Sequence, residues 1–152
     1  MNFNIVLPGL EGVQVTKMEQ IEDRFCFHVE MPISPHTCPN CEERTSKIHD
    51  YRMQKIKHLK MFERPTLIFY RKRRYGCSCG KKFMEKNTFI QRYQRFSIEW
   101  NQAVNVRSVK GKTFLETATI YGTSPSTIVR RFDRLSLSEI HPVKELPKVI
   151  AI

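Results

Sequence analysis

The sequence predicts an α+β protein. An N-terminal antiparallel β module, zinc-ribbon-like, spans residues 1–95, and a three-helix, helix-turn-helix domain follows over residues 96–138. Three observations predict it. Apolar residues alternate along short stretches as far as Tyr75, with cysteines in two close pairs among them. From Ile98 the period becomes helical. Charge is segregated along the chain rather than mixed.

The elements follow in order. Val13, Val15 and Lys17 alternate with polar neighbours, and Phe25, Phe27 and Val29 share one face of the stretch Arg24–Val29. The polar run Glu19–Asp23 between them makes a hairpin. Met31-Pro32-Ile33-Ser34-Pro35 stops regular structure. Lys47–His58 is a strand with a basic face. Arg64–Tyr75 is a second, with Leu67 and Phe69 on one side and Ile68 and Tyr70 on the other. Trp100, Ala103, Val104 and Arg107 mark one face of a first helix, which Lys110-Gly111-Lys112 breaks. Thr113 and Glu116 have capping-box spacing and open a second helix, which Gly122 ends. Ser124 is an N-cap and Pro125 a first helical residue, so a third helix runs from Pro125 to about Leu135. His141-Pro142 and Leu146-Pro147 make residues 139–152 an extended connector.

The chain has 152 residues, 40% of them hydrophobic, enough to build a core. No apolar run is long enough to span a bilayer, and no basic-then-apolar leader opens the sequence, so a cytoplasmic, reducing location is expected. Five cysteines there are thiols or metal ligands rather than a disulfide framework. The net charge is +11. Residues 1–51 carry 4 basic and 8 acidic side chains, whereas residues 52–95 carry 14 basic and 2 acidic. A block so nearly of one sign points to a polyanion as partner.

Cys38-Pro39-Asn40-Cys41 and Cys77-Ser78-Cys79 are two chelating turns joined by strand-like sequence. Two thiolates from each turn meet the need of a tetrahedral Zn²⁺, and four sulfurs close the site, which makes it structural. Lys81, Lys82, Arg73 and Arg74 are expected to offset the thiolate charge. The competing reading is two unrelated pairs of buried or redox-active thiols. A thioredoxin-like CxxC is disfavoured, since no helix start or βαβ pattern follows Cys41. Cys26 reads as a plain structural cysteine, and His36, His49 and His58 as surface histidines.

Two regions suit nucleic acid. In Phe69–Tyr75, Arg71 and Arg73 project one way and Lys72 and Arg74 the other, in reach of phosphates, while Tyr70 or Tyr75 could pack on sugars. The bland alternative is a solvated strand end. On the third helix Ile128, Phe132 and Leu135 form an apolar face. Ser126 and Arg130 lie opposite, flanked by Thr127 and Arg134, with Arg131 nearer the core edge as a phosphate contact. The expected DNA contacts are Arg71, Lys72, Arg73, Arg74, Lys81, Lys82, Ser126, Thr127, Arg130, Arg131 and Arg134. The competing reading here is an ordinary three-helix bundle.

Taken together, Cys38-Pro39-x-Cys41, the basic strand, the run Arg74-Tyr75-x-Cys77-x-Cys79-Gly80-Lys81-x-Phe83 and the turn Gly122–Thr127 resemble the N-terminal zinc-finger and helix-turn-helix region of ISL-three family insertion-sequence transposases. The ending Lys148–Ile152 resembles the first strand of an RNase H-like catalytic domain. The resemblance implies sequence-specific recognition of terminal inverted repeats in double-stranded DNA, in a bacterial cytoplasm at the nucleoid. The short apolar runs give no membrane partner, and a homodimer is a candidate assembly. The resemblance also implies that the acidic triad of the DDE domain lies outside this chain. Glu63, Glu85, Glu99, Glu116 and Asp133 are scattered, so the chain is expected to be non-enzymatic. Two other readings stay open: a zinc-ribbon and helix-turn-helix transcriptional regulator unrelated to transposition, and a structural zinc protein whose basic surface meets RNA or acidic protein.

Overall fold

The computed structural model describes residues 9–139, so from residue 140 the expected connector and catalytic-domain strand lie outside the described residues. The elements are β1 (Gln14–Ile21), β2 (Arg24–Glu30), β3 (His36–Thr37), β4 (Arg44–Thr45), β5 (Ile48–Met61), β6 (Arg64–Gly76), β7 (Lys82–Met84), α1 (Ile98–Lys110), α2 (Phe114–Tyr121) and α3 (Pro125–Glu139). A β region followed by three helices is the order expected. The chain divides after Gln102 into two compact units. The division falls inside α1, whose first turn is anchored in the first unit. There Phe96 stacks on Trp100 at 4.0 Å, and the Ile98 amide donates to the Phe89 carbonyl.

The first unit is built on a sheet of order β1-β2-β6-β5, with β7 added to β6. β1 and β2 form the expected hairpin, but β1 runs through Ile21, so the turn is only Glu22-Asp23. β5 and β6 form a much longer hairpin, closed by Phe62 and Glu63, both with positive φ (49° and 62°). Two consecutive left-handed residues match the right-handed twist of the flanking strands. β1–β2, β5–β6 and β6–β7 pair antiparallel as expected, and one pairing adds to that pattern: β2 lies parallel to β6, with Phe27 opposite Ile68 and Val29 opposite Tyr70. The sheet is therefore mixed, because the chain crosses from β2 through the β3–β4 segment before returning on β5.

Ile68 and Tyr70 lie fully buried with Val15, Phe27, Val29 and Ile56 in one core, capped by Phe89 and Ile90. Tyr75 is also fully buried, stacked between His36 and Phe83. Both tyrosines are thereby withdrawn from the expected sugar contacts, since neither ring reaches solvent. Cys26 is buried in β2, apart from the four clustered cysteines.

A charged network sits beside this core. Glu85 accepts hydrogen bonds from the Tyr70 hydroxyl at 2.6 Å, from the Arg73 amide at 3.0 Å and from the Arg73 guanidinium at 3.3 Å. Arg73 also reaches Glu30 at 2.6 Å and the Met31 carbonyl at 2.5 Å. Burial disfavours the charged guanidinium, but the two carboxylates outweigh it and hold its pKa above the usual value.

In the second unit the local signals act as expected. The Thr113 hydroxyl accepts from the Glu116 amide at 3.0 Å and caps α2. The reciprocal half of the capping box does not form, because the Glu116 carboxylate pairs with Arg107 at 3.1 Å. Gly122 adopts the left-handed conformation (φ 62°) that ends α2, and Thr123 donates to the Ala118 carbonyl at 2.9 Å. Gly111 is a close approach, since a Cβ there would stand 2.5 Å from the Arg107 carbonyl oxygen and 3.2 Å from the Thr117 hydroxyl. The Ser124 hydroxyl accepts from the Thr127 amide at 3.3 Å at the start of α3, which runs a full turn beyond Leu135.

Removing one partner from a buried ion pair leaves the other uncompensated. Glu85→Ala is therefore expected to destabilise the first unit by about 3–5 kcal/mol, read as a lower denaturant midpoint. A change under about 1 kcal/mol would show that Glu30 alone suffices for Arg73.

Candidate metal centre and nucleic-acid interface

The two cysteine turns meet at one end of the sheet. Pairing of Ile48 with Tyr75, and donation from the Gly76 amide to the Lys47 carbonyl at 2.9 Å, bring the end of β6 beside the start of β5. The long gap between the pairs is thus the length of one hairpin. In the first turn Cys38 and Glu43 close on each other, and the Glu42 amide donates to the Cys38 carbonyl at 3.0 Å. In the second the Gly80 amide donates to the Cys77 carbonyl at 3.0 Å. Each turn ends in a left-handed residue directly after its second cysteine, Glu42 (φ 60°) and Gly80 (φ 82°). The CxC turn is therefore the CxxC turn shortened by one residue, which answers how so tight a pair can chelate.

The four Sγ atoms lie within 4.8 Å of one another, with Cys38 3.7 Å from Cys79 and Cys41 3.4 Å from Cys77. A tetrahedral zinc with Zn–S bonds of about 2.3 Å spaces its sulfurs about 3.8 Å apart, so the donor set lies close to what the ion needs. No other cluster of this kind occurs among the described residues. Zinc bound there would tie the two turns together; a closed set of thiolates leaves no position for a reacting water.

Backbone amides supply much of the local positive potential. The Asn40 amide points at the Cys38 sulfur from 3.5 Å. The Lys81 amide is the largest cause of a Cys79 pKa near 6, with sharing among the other thiols adding to it. The Glu43 amide likewise favours the Cys41 thiolate, but proton sharing with Cys77 and the other sulfurs outweighs it and pushes that thiol to about 12. The four thiols share their protons, and a metal bound there would displace them.

The expected counter-charges divide. Lys81 and Lys82 are exposed near the site. Arg73 and Arg74 do not offset the thiolates, because carboxylates already hold them. Arg74 makes a two-pronged pair with Asp50 at 2.9 and 2.5 Å. The histidines stay outside: His36 stacks on Tyr75 at 4.5 Å, His49 is exposed, and His58 is buried against the Ser97 hydroxyl at 2.8 Å. His58 corrects its surface assignment, and burial keeps its pKa below the usual imidazole value.

Of the strand cations, Arg73 is 2% exposed and cannot meet a phosphate. Its inclusion among the DNA contacts is corrected: Glu30 and Glu85 enclose it. Arg71 is exposed, but it pairs with Glu30 at 3.0 Å and lies 3.9 Å over the Tyr51 ring. Lys72 is half-buried, and desolvation lowers its pKa, with the charge of Arg92 adding to the effect. The basic run is therefore largely neutralised within the fold.

α3 keeps its two faces. Ile128 is fully buried, and Phe132 packs on Phe114 with ring centres 5.2 Å apart. Ser126, Arg130 and Arg134 are exposed. The Arg130 Nε donates to the Ser126 carbonyl at 3.2 Å, which lays the side chain along the start of the helix. The Thr127 and Ser126 hydroxyls both engage Ser124, at 2.9 and 3.1 Å. Arg131 is half-buried, and desolvation followed by the neighbouring Arg134 charge lowers its pKa.

Comparison with known families matches both halves. Residues 34–80 match the zinc-finger of transposase IS204/IS1001/IS1096/IS1165, and residues 85–136 match the helix-turn-helix domain of transposase family ISL3. A curated relative, the transposase for insertion sequence element IS1001 of Bordetella parapertussis, is 26% identical over 101 residues. That alignment covers 64% of this chain and 25% of the relative, so the chain spans about a quarter of that protein's length. No solved structure matches. No helix among the described residues is long and apolar enough to cross a membrane.

The geometry makes Cys77 one of four sulfurs facing a common centre. Cys77→Ser should lose the zinc, measured by metal analysis of the purified protein, and should melt the ends of β5 and β6 in circular dichroism. Stoichiometric zinc in that variant would show that the other three cysteines hold the metal without it.

Proposed function

The chain carries the zinc-finger and helix-turn-helix region of an ISL3-family transposase, and on that premise we propose that it binds double-stranded DNA sequence-specifically at the terminal inverted repeats of an insertion element. The observation that supports this best is α3. Its apolar side is buried through Ile128, and its opposite side presents Ser126, Arg130 and Arg134 to solvent. A helix so divided can lie in the major groove with short polar groups and guanidinium at the base edges. Arg131 and Arg134 serve phosphates, joined by Thr127 near the helix start.

The zinc centre holds the first unit in shape, while Lys81 and Lys82 beside it add backbone contacts. Arg71 and Arg74 contribute weakly, since each must share its charge with Glu30 or Asp50. In this reading the chain recognises the element's ends in the bacterial cytoplasm, at the nucleoid. The chemistry of transposition belongs to a separate DDE domain, and the recognition region itself is not catalytic.

Selection from a random duplex pool yields a preferred site, against which variants are compared. Arg130→Ala should weaken that site by about 1–3 kcal/mol and leave scrambled duplex nearly unchanged, because a two-pronged contact to guanine is lost. Equal losses on both duplexes would make Arg130 a phosphate contact and move base reading away from α3.

A further inference from the structure

The carboxylates that neutralise the β6 run leave other cations uncovered. Lys55 is exposed on β5, the edge strand of the sheet. The segment leading into α1 runs beside that edge. The Lys57 amide donates to the Arg95 carbonyl at 2.9 Å, the Ser97 amide to the Lys57 carbonyl at 3.0 Å, and the Gln54 side chain to the Gln94 carbonyl at 3.0 Å. Between strand and segment lies an open groove of about 710 Å³, with Met53, Lys55 and Lys57 on one wall and Tyr93, Arg95 and Phe96 on the other. No carboxylate lines it.

The lip of this groove is held in an unusual backbone. Tyr93 has φ 64°, a left-handed conformation that disfavours a non-glycine residue, and its ring is 88% exposed. The Arg92 guanidinium stands 4.8 Å over that ring. Neither Arg92 nor Arg95 forms a salt bridge among the described residues. A strained residue that holds an aromatic ring out in water, next to two arginines without an acidic partner among the described residues, is arranged for an external partner.

We propose that this groove and its rim form a second DNA-contacting surface, in which Arg92 beside the Tyr93 ring, together with Arg95 and Lys55, holds the phosphates of one strand of a duplex and Tyr93 packs on the adjacent sugar. The proposal rests on the DNA-binding reading above and adds the β5 edge, in place of the β6 run, to the backbone contacts of the first unit. Cations outnumber the single protruding ring, which favours a phosphate track over the row of stacked aromatics that single strands require.

The test uses the zinc-loaded chain and 20-base-pair duplexes, titrated between about 50 and 300 mM salt. Unaltered protein should bind with a log–log salt slope of several units. R92A/R95A should lower the slope by about 1.8, two phosphates' worth, and weaken preferred and scrambled duplex alike by about tenfold or more. Lys55→Gln, on the opposite wall, should lower it by about 0.9. Zinc content and thermal midpoint should stay unchanged, since these side chains are exposed. Steep binding by the unaltered chain with the slope kept in both variants overturns the groove and leaves the DNA-binding reading intact. Failure of the unaltered chain to bind any duplex overturns both. Tighter binding to a single strand than to duplex, lost in Tyr93→Ala, overturns the duplex assignment.

Discussion

The antiparallel pairing of Ile48–Met61 with Arg64–Gly76 decides which parts of the first unit can meet. Fixed at one end by the Phe62-Glu63 turn, it returns Tyr75 to Ile48 and so delivers the Cys77 turn to the Cys38 turn. A slip of one residue would turn Ile68 and Tyr70 out of the core and carry the cysteines apart, so burial and metal geometry enforce the same register. The zinc centre is then a clasp on a hairpin that the core has already aligned. Its ligand turns need only local backbone bonds and one left-handed residue each.

The same register explains where the charge goes. The acidic N-terminal third and the basic stretch after it look like separate features along the chain, yet they fold onto one another. Glu30 at the end of β2 meets Arg71 and Arg73, and Asp50 on β5 meets Arg74. Taking Arg73 out of water is costly, and two carboxylates with the Met31 carbonyl offset that cost. The network joins β2, β6 and the residue after β7, so cations that resemble a ligand surface in sequence are part of the framework. Exposed cations outside these pairs include Lys81 and Lys82, Lys55 on the β5 edge, Arg92 and Arg95 before α1, and Arg130 and Arg134 on α3.

The second unit is economical by comparison. Thr113, Gly122 and Ser124 satisfy the helix ends locally, Gly111 lets α2 approach the end of α1, and Phe114 of α2 packs on Phe132 of α3, with Ala118 and Ile128 buried. Because so few buried groups are committed, the outward side of α3 is free to carry polar residues chosen for a partner.

What the sequence by itself determined is whatever is settled within a few residues. Helix starts and stops were legible because a cap and its amide partner lie within one turn, as Thr113 and Glu116 do. The cysteine pairs were legible because each chelating turn is local. The Phe62-Glu63 turn was not, since left-handed turns ordinarily announce themselves with Asn or Gly. The parallel partnership of β2 and β6, the burial of Tyr75 and the capture of Arg73 were decided only by tertiary structure. Glu30 and Arg73 stand 43 residues apart, and no local pattern says whether a cation will find a carboxylate or water. The reason is physical: a backbone cap needs only its own turn, whereas the fate of a charge depends on every chain segment that folds against it.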